Sequence, residues 1–219
     1  MPHVDLHSHS RFSPDCRMDF ETIADACELA GIDVLATTDH DTAEGALAFH
    51  DWIADHDREL DVIVGEELST PDGEIIGLYL EETIESPCPL EEAIEQIRAQ
   101  GGLVLLEHPF DPMREGLEGK AWEIDPDIVE VFNARTRLEG ANRKAREFAE
   151  ERELVTCACS DAHTSNEFGS AFTLTPDFDA SDPDQLVEAL AEGTHECSTS
   201  PVWVSVQSTF ARALHKIGL

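Results

Sequence analysis

The sequence predicts an α/β fold in which parallel strands close into a barrel, and three observations carry that expectation. Short apolar runs that read as buried strands alternate along the chain with amphipathic runs at helical spacing. Polar motifs fall just past the C-terminal ends of successive strands, at His7/His9, His40, Glu67, His108, Arg135 and Asp161/His163. Strands occur at about seven or eight stations, and in a closed parallel barrel such strand ends converge on one face, where active sites lie.

The elements are read in order. Val4 to Ser10 is extended, so Asp5, His7 and His9 share one face and Leu6 faces the packing side. Two imidazoles spaced roughly 6.6 Å apart along a strand can close on one metal ion, although a short polar strand with two chance histidines reads the same way. After the turn-rich Arg11 to Asp15, a helix runs from Asp19 to Ala30 and stops at Gly31, and Ile32 to Thr37 is a buried strand that delivers Thr38-Asp39-His40-Asp41. A helix from Ala43 to His56 precedes a strand from Leu60 to Val64, which ends in Gly65-Glu66-Glu67. Thr70-Pro71-Asp72-Gly73 is a turn, and Ile75 to Leu80 is the next strand.

Pro89 to Gln100 is helical, punctuated by Gly101-Gly102, and the strand Leu103 to Leu106 delivers Glu107-His108-Pro109. Phe110 to Asp125 reads as a long loop and a candidate lid. Ile128 to Phe132 is a strand ending at Asn133-Ala134-Arg135, Gly140 to Glu153 is a helix, and the strand Leu154 to Cys159 ends in Ser160-Asp161-Ala162-His163. A strand at Ala171 to Leu174 and helices at Pro183 to Ala191 and Thr209 to Ile217 complete the chain. The 219 residues suit a single domain spanning 1–219, with about 200–219 packing on the barrel as an extension.

Composition narrows the function. Asp and Glu outnumber Lys and Arg by 47 to 14, for a net charge of -33, and the acids are spread through amphipathic segments, which argues against disorder. Only Lys120, Lys144 and Lys216 are lysines, a balance like that of proteins from organisms that hold molar salt in the cytoplasm. At about 1 M salt the screening length falls to ~3 Å, which removes most self-repulsion. No basic stripe offers counterion release, so nucleic acid is a poor partner. The six cysteines form no C-x-x-C pair and the apolar runs are too short to span a bilayer, so a reduced, soluble, cytoplasmic protein with no membrane partner is expected. The oligomeric state is not legible.

Each polar motif is weak alone, but together they place histidines and carboxylates where strand ends meet. A mixed set of that kind suits divalent Mn, Fe or Zn. These motifs resemble those of the PHP family, the polymerase and histidinol phosphatase superfamily, over nearly the whole length. The resemblance rests on Asp5-Leu6-His7-Ser8-His9-Ser10, Phe12-Ser13-Pro14-Asp15, Thr38-Asp39-His40-Asp41, Gly65-Glu66-Glu67-Leu68-Ser69, Glu107-His108-Pro109 and Ser160-Asp161-Ala162-His163. Val131 to Arg135 and Asn142 with Ala145 resemble the stand-alone branch that includes small-substrate phosphoesterases.

The resemblance implies a distorted, TIM-like (β/α)7 barrel holding two to three divalent ions. Carried over by motif, the ligands are His7, His9, Asp15, His40, Glu67, His108, Asp161 and His163, with register favouring Glu67 over Glu66. Many relatives place a histidine in the strand after the glutamate motif, where this chain has Glu74; either Glu74 is an oxygen ligand in its place or one metal position is weaker. Asp5 and Asp39 are expected to orient ligand imidazoles.

The implied reaction is hydrolysis of a small, nucleotide-like phosphomonoester by a hydroxide generated at clustered metals, with His7, His9, Asp15, His163 and Arg135 catalytic. Arg17, Arg135 and Asn133 are candidates for substrate binding, Arg17 and Arg135 through bidentate forks. An exonuclease or phosphodiesterase, a histidinol phosphatase, and a non-catalytic binding module are the alternatives.

Overall fold

A computed structural model describes residues 1–138, 140–200 and Ala211. Among the described residues the strands are β1 (His3–Asp5), β2 (Val34–Thr37), β3 (Asp61–Thr70), β4 (Gly73–Leu78), β5 (Leu103–Leu106), β6 (Ile128–Asn133), β7 (Val155–Cys159), β8 (Ala171–Leu174) and β9 (Thr194–Cys197). The helices are α1 (Phe20–Ala30), α2 (Glu44–Asp55), α3 (Leu90–Ala99), α4 (Ala141–Arg152) and α5 (Pro183–Ala191).

They form one sheet in the order β7-β6-β5-β4-β3-β2-β1-β8-β9. Its rim closes beyond β1. The Asp161 N–H donates to the His7 carbonyl at 2.9 Å and the His9 N–H to the Ala162 carbonyl at 2.9 Å, so the chain after β1 is laced to the chain after β7. The result is a nearly closed barrel of the expected class.

Local sequence explains the helix ends. Asp19 caps α1 by accepting the Thr22 N–H, and Gly31 ends the helix at φ 72°, a left-handed conformation that costs glycine little. Asp182 caps α5 by accepting the N–H groups of Asp184 and Gln185, with Pro183 in the first turn. Burial then fixes the layers. Phe20, Ile23 and Cys27 of α1 pack with Phe49 of α2 on one side, and Ile97 and Phe148, from α3 and α4, pack with Val104, Leu106 and Val129 on another. A further cluster joins Val4, Leu6, Leu105, Ile128, Cys157 and Cys159 with Leu186 and Leu190 of α5. Each fully buried side chain of this size contributes about 1.5–3 kcal/mol.

The structure departs from the uniformly parallel expectation at β8, which pairs antiparallel with β1, and at β4, which pairs antiparallel with both β3 and β5. The cause at β4 is the two-residue connection between Thr70 and Gly73, because a parallel neighbour needs a crossover of a dozen or more residues. Consequently β3 is longer than its apolar run, and Glu67 lies within it, opposite Ile76, instead of past its end. β9, an edge hairpin partner of β8, was not anticipated. The segment after β5 does form the expected long excursion, with 3-10 turns at Pro112–Arg114 and Glu118–Glu123. Five cysteines are buried and Cys197 is exposed, and none is in a disulfide. The expected helix Thr209 to Ile217, and with it most of the extension at 200–219, lies outside the described residues. Among the described residues, no helix is long and apolar enough to cross a membrane.

Candidate metal centre

The chain after β1, β2, β5 and β7, with Glu67 inside β3, brings His7, His9, Asp15, His40, Glu67, His108, Asp161 and His163 into one cluster. The chain after β1 supplies two imidazoles whose Nε2 atoms are 3.3 Å apart. Their other nitrogens are occupied from behind: His9 Nδ1 lies 3.0 Å from Ser13 Oγ and His7 Nδ1 lies 3.2 Å from Glu130 Oε1. Fixing the rear nitrogen turns each Nε2 toward the centre.

Glu67 stands in the middle. Its Oε2 is 3.2 Å from His9 Nε2, 3.5 Å from His7 Nε2 and 3.1 Å from His40 Nδ1, while its Oε1 is 3.7 Å from His108 Nε2. On one side Asp15 Oδ2 lies 3.3 Å from His163 Nε2 and 3.6 Å from His40 Nε2. On the other, Glu107 Oε2 lies 3.6 Å from His7 Nε2 and 3.8 Å from His108 Nε2. Glu74 approaches His40 Nδ1 at 3.9 Å. Asp161 Oδ1 is 3.4 Å from His9 Nε2 and 3.3 Å from His163 Nδ1. Two of these residues adopt positive φ without being glycine, His108 at 25° and Asp161 at 54°, a backbone cost that persists where the surroundings over-determine the conformation.

The donor set fits divalent cations. Glu67 Oε2, both Glu107 oxygens, both His108 ring nitrogens and Asp161 Oδ1 are buried without a hydrogen-bond partner. Buried polar atoms are ordinarily paired, so a cluster of unpaired donors around one centre is an unmet demand for positive charge. Four overlapping groups, His9/His40/His163, His7/Glu67/Glu107/His108, His7/His9/Asp161 and His40/Glu67/Glu74, each place their ligand atoms within 4.8 Å of one another. Mixed nitrogen and oxygen donors suit Mn, Fe or Zn.

Electrostatics show the same demand. Burial opposes the charged ring of His7, but Asp161, Glu130 and Glu67 hold its pKa well above the usual value. His40 is pushed up to about 10 by Glu67, Asp15 and Glu74 despite its own burial. His9, by contrast, falls to about 3 through burial and the neighbouring His163. Burial and crowding with Glu67 raise Glu74 to about 9 and Glu107 well above the carboxylate range. Protons thus supply part of the balancing charge.

The supporting roles differ from expectation. Asp5 does not reach a ligand imidazole; its Oδ1 accepts the backbone N–H of Ser160 at 3.1 Å and of His7 at 3.4 Å, because at its place in β1 it faces the neighbouring backbone. Glu130 takes the expected orienting role, and its Oε2 also accepts the His108 N–H at 2.7 Å. Asp39 acts at one remove: its Oδ1 accepts from the Ser13 hydroxyl at 2.8 Å, and that hydroxyl contacts His9. Asn133 is in the centre, donating through Nδ2 to Asp161 Oδ2 at 3.0 Å and to both Glu130 oxygens.

Arg135 is buried beside it, its Nε 3.3 Å from Glu167 Oε1 and its Nη1 3.9 Å from Asp161 Oδ1. Arg17 is exposed on the loop beyond Asp15. Sequence reasoning gave no role to Glu107, Glu130, Glu167 or Arg114, whose guanidinium reaches from the segment after β5 to Asp161 Oδ2. Glu130 had a signal: a lone acid among the apolar residues Ile128, Val129, Val131 and Phe132 of β6.

Comparison with known proteins adds a family. A model described as PHP domain matches residues 5–166, and one described as PHP-associated matches 139–195. The chain is 36% identical over 144 residues to the uncharacterised protein MJ1587 of Methanocaldococcus jannaschii, an alignment covering 61% of this chain and 83% of that protein. Its fold is similar to that of a two-domain protein of Bacteroides vulgatus described as containing a predicted PHP-like metal-dependent phosphoesterase, with TM-score 0.73, 15% identity, and coverage of 96% of this chain and 69% of that one. PsfC of Pseudomonas syringae aligns at TM-score 0.67 and 18% identity over 100% of this chain and 99% of its own.

Proposed function

The chain belongs to the PHP domain family, and from that premise we propose that it is a phosphoesterase that hydrolyses a small phosphomonoester at the cluster around Glu67. The observation that carries this reading is the set of buried, unpartnered donor atoms on Glu67, Glu107, His108 and Asp161, which face one another in a cluster of histidines and carboxylates. His7, His9, Asp15, His40, Glu67, His108, Asp161 and His163 would hold two to three divalent ions, which when bound would supply Lewis acidity toward a phosphoryl oxygen and lower the pKa of water.

The chain's own residues do the rest. Glu130 and Ser13 hold the rear nitrogens of His7 and His9, so the donor face is preorganised. Asn133 and Arg114 hold Asp161 Oδ2, leaving Oδ1 turned toward His9 and His163. Arg114 and Arg135 converge on Asp161, and the exposed Arg137 lies close enough to both that they lower its pKa, as burial does first. In a chain with 14 basic residues against 47 acids, that convergence supports binding of an anionic substrate group, with Arg135 and Arg114 in contact with it and Arg17 at the margin.

The strongly acidic surface disfavours a long nucleic-acid strand, and it supports a protein working in concentrated salt. The test is turnover in molar KCl with Mn2+ of a phosphomonoester, a phosphodiester and single-stranded RNA. Hydrolysis of the monoester is expected. Preference for the diester or RNA would replace it with the phosphodiesterase reading, and bound metal with no turnover would favour a binding module.

A further inference from the structure

The donors around Glu67 are not distributed evenly. On the side of the chain after β1, β2 and β7 stand the imidazoles of His9, His40 and His163, mutually within 4.8 Å, with one carboxylate, Asp15, between two of them. On the other side Glu107 and Glu67 share a group with the imidazoles of His7 and His108, and Glu74 groups with Glu67 and His40. Glu107 is the least explained by packing. It is fully buried at the end of β5, neither oxygen has a hydrogen-bond partner, and Oε2 points between His7 and His108 at 3.6 and 3.8 Å. A carboxylate carried into the interior with both oxygens unpaired is costly unless a cation or a proton meets it.

Selectivity among divalent ions follows donor type and geometry more than raw affinity: imidazole-rich sets favour Zn2+, and carboxylate-rich sets favour harder ions such as Mn2+. We propose that Glu107 is a metal ligand, and that with Glu67, His7 and His108 it makes the β5 side of the centre the position richer in carboxylate and selective for Mn2+, opposite an imidazole position at His9, His40, His163 and Asp15 selective for Zn2+. The centre is therefore a mixed-metal one. This inference rests on the metal-dependent reading above and deepens it by assigning a further ligand and a distinct ion to each side.

The experiment loads the full-length protein in molar KCl with equimolar Zn2+ and Mn2+, removes loose ions by gel filtration, and reads metal content by mass spectrometry and bound Mn2+ by electron paramagnetic resonance. Wild-type protein is expected to retain both metals. Glu107→Gln keeps the shape of the side chain while removing its charge, and should weaken retained Mn2+ at least about tenfold with Zn2+ unchanged. His163→Ala should do the reverse. Glu107→Asp, which withdraws the carboxylate by one methylene, should also lose Mn2+ selectively and stands in if the glutamine variant does not fold. Unchanged Mn2+ in both Glu107 variants, or loss of both metals in equal proportion from folded variants, overturns the assignment while leaving the phosphoesterase reading intact. Wild-type protein that binds neither ion overturns that reading as well.

Discussion

Glu130 Oε1 lies 3.2 Å from Nδ1 of His7, and the other oxygen of the same carboxylate accepts the His108 N–H at 2.7 Å. One side chain on β6 therefore sets the orientation of an imidazole from β1 and the backbone of a second donor after β5. Replacing Glu130 by Ala frees the His7 ring and should weaken divalent-metal binding by about 10–100-fold, the usual consequence of removing a partner behind a ligand. Titration calorimetry with Mn2+ checks this, and an unchanged dissociation constant would reject the orienting role.

The Asp39 network predicts an effect from a glycine. A Cβ added at Gly45 would overlap Asp39 Oδ2 and crowd Ser10 Oγ at 2.9 Å, inside the network that reaches His9 through Ser13. Gly45→Ala should cost about 1–3 kcal/mol, as overpacking does, and should also weaken metal binding. Gly119→Ala is the contrast, since nothing lies within 4 Å of the added atom. Chemical denaturation of both variants measures the difference, and equal stabilities would reject the argument.

Alternation of strands and helices, and polar motifs at strand ends, were legible because both follow from local sequence. His7, His9, His40, His108 and His163 stood out for that reason. The antiparallel β4 was less legible: the turn at Pro71-Asp72 was recognised, but the hairpin it enforces competes with the parallel pattern around it. Partnerships across the barrel were not legible at all. Nothing in the order of residues says that Glu130 rather than Asp5 stands behind His7, because 123 residues separate the pair and only closure brings them together. Arg114 was hidden likewise, on a segment whose contacts are set by the folding of the whole excursion.

Metal affinity should depend strongly on pH. Without metal, His40 has its pKa raised to about 10, so at neutral pH it holds a proton that a cation must displace. Raising the pH toward 10 removes that competitor, so apparent Mn2+ affinity should climb across pH 6 to 9 and binding should release protons. Calorimetry in two buffers of different ionisation enthalpy reads the release directly. An affinity flat over that window, with no buffer dependence, would contradict the proposed protonation.

Arg114 links the segment 110–125 to the centre through Asp161, and its pKa is raised because Asp161, Glu67, Glu130 and Glu74 outweigh its burial. Arg114→Ala should raise KM for a phosphomonoester more than it lowers kcat, and should make the segment 110–125 easier to cleave by protease. Arg114→Lys keeps the charge but loses the planar fork, and should restore protease resistance better than KM. If neither KM nor cleavage changes in the alanine variant, the arginine is not a latch.

The last prediction concerns the surface. With a net charge of -33, carboxylates repel one another across the whole molecule, and the compact state suffers more than an expanded chain in which they move apart. At about 0.1 M salt the screening length is about 10 Å, longer than many spacings between neighbouring surface charges, whereas at about 1 M it shrinks to ~3 Å. Helix α3 illustrates the point, with Glu91, Glu92 and Glu95 on it and a single basic residue, Arg98. Raising KCl from dilute to molar should therefore raise the melting midpoint, and most of the gain should come before screening becomes complete. Neutralising two or three exposed acids, for example Glu91→Gln with Glu95→Gln, should raise the midpoint in dilute buffer and have little effect in molar KCl. That interaction between salt and charge separates screening from a general salting-out of apolar surface, which would stabilise both proteins alike. A midpoint independent of KCl would remove the electrostatic argument and with it the case for a salt-adapted chain.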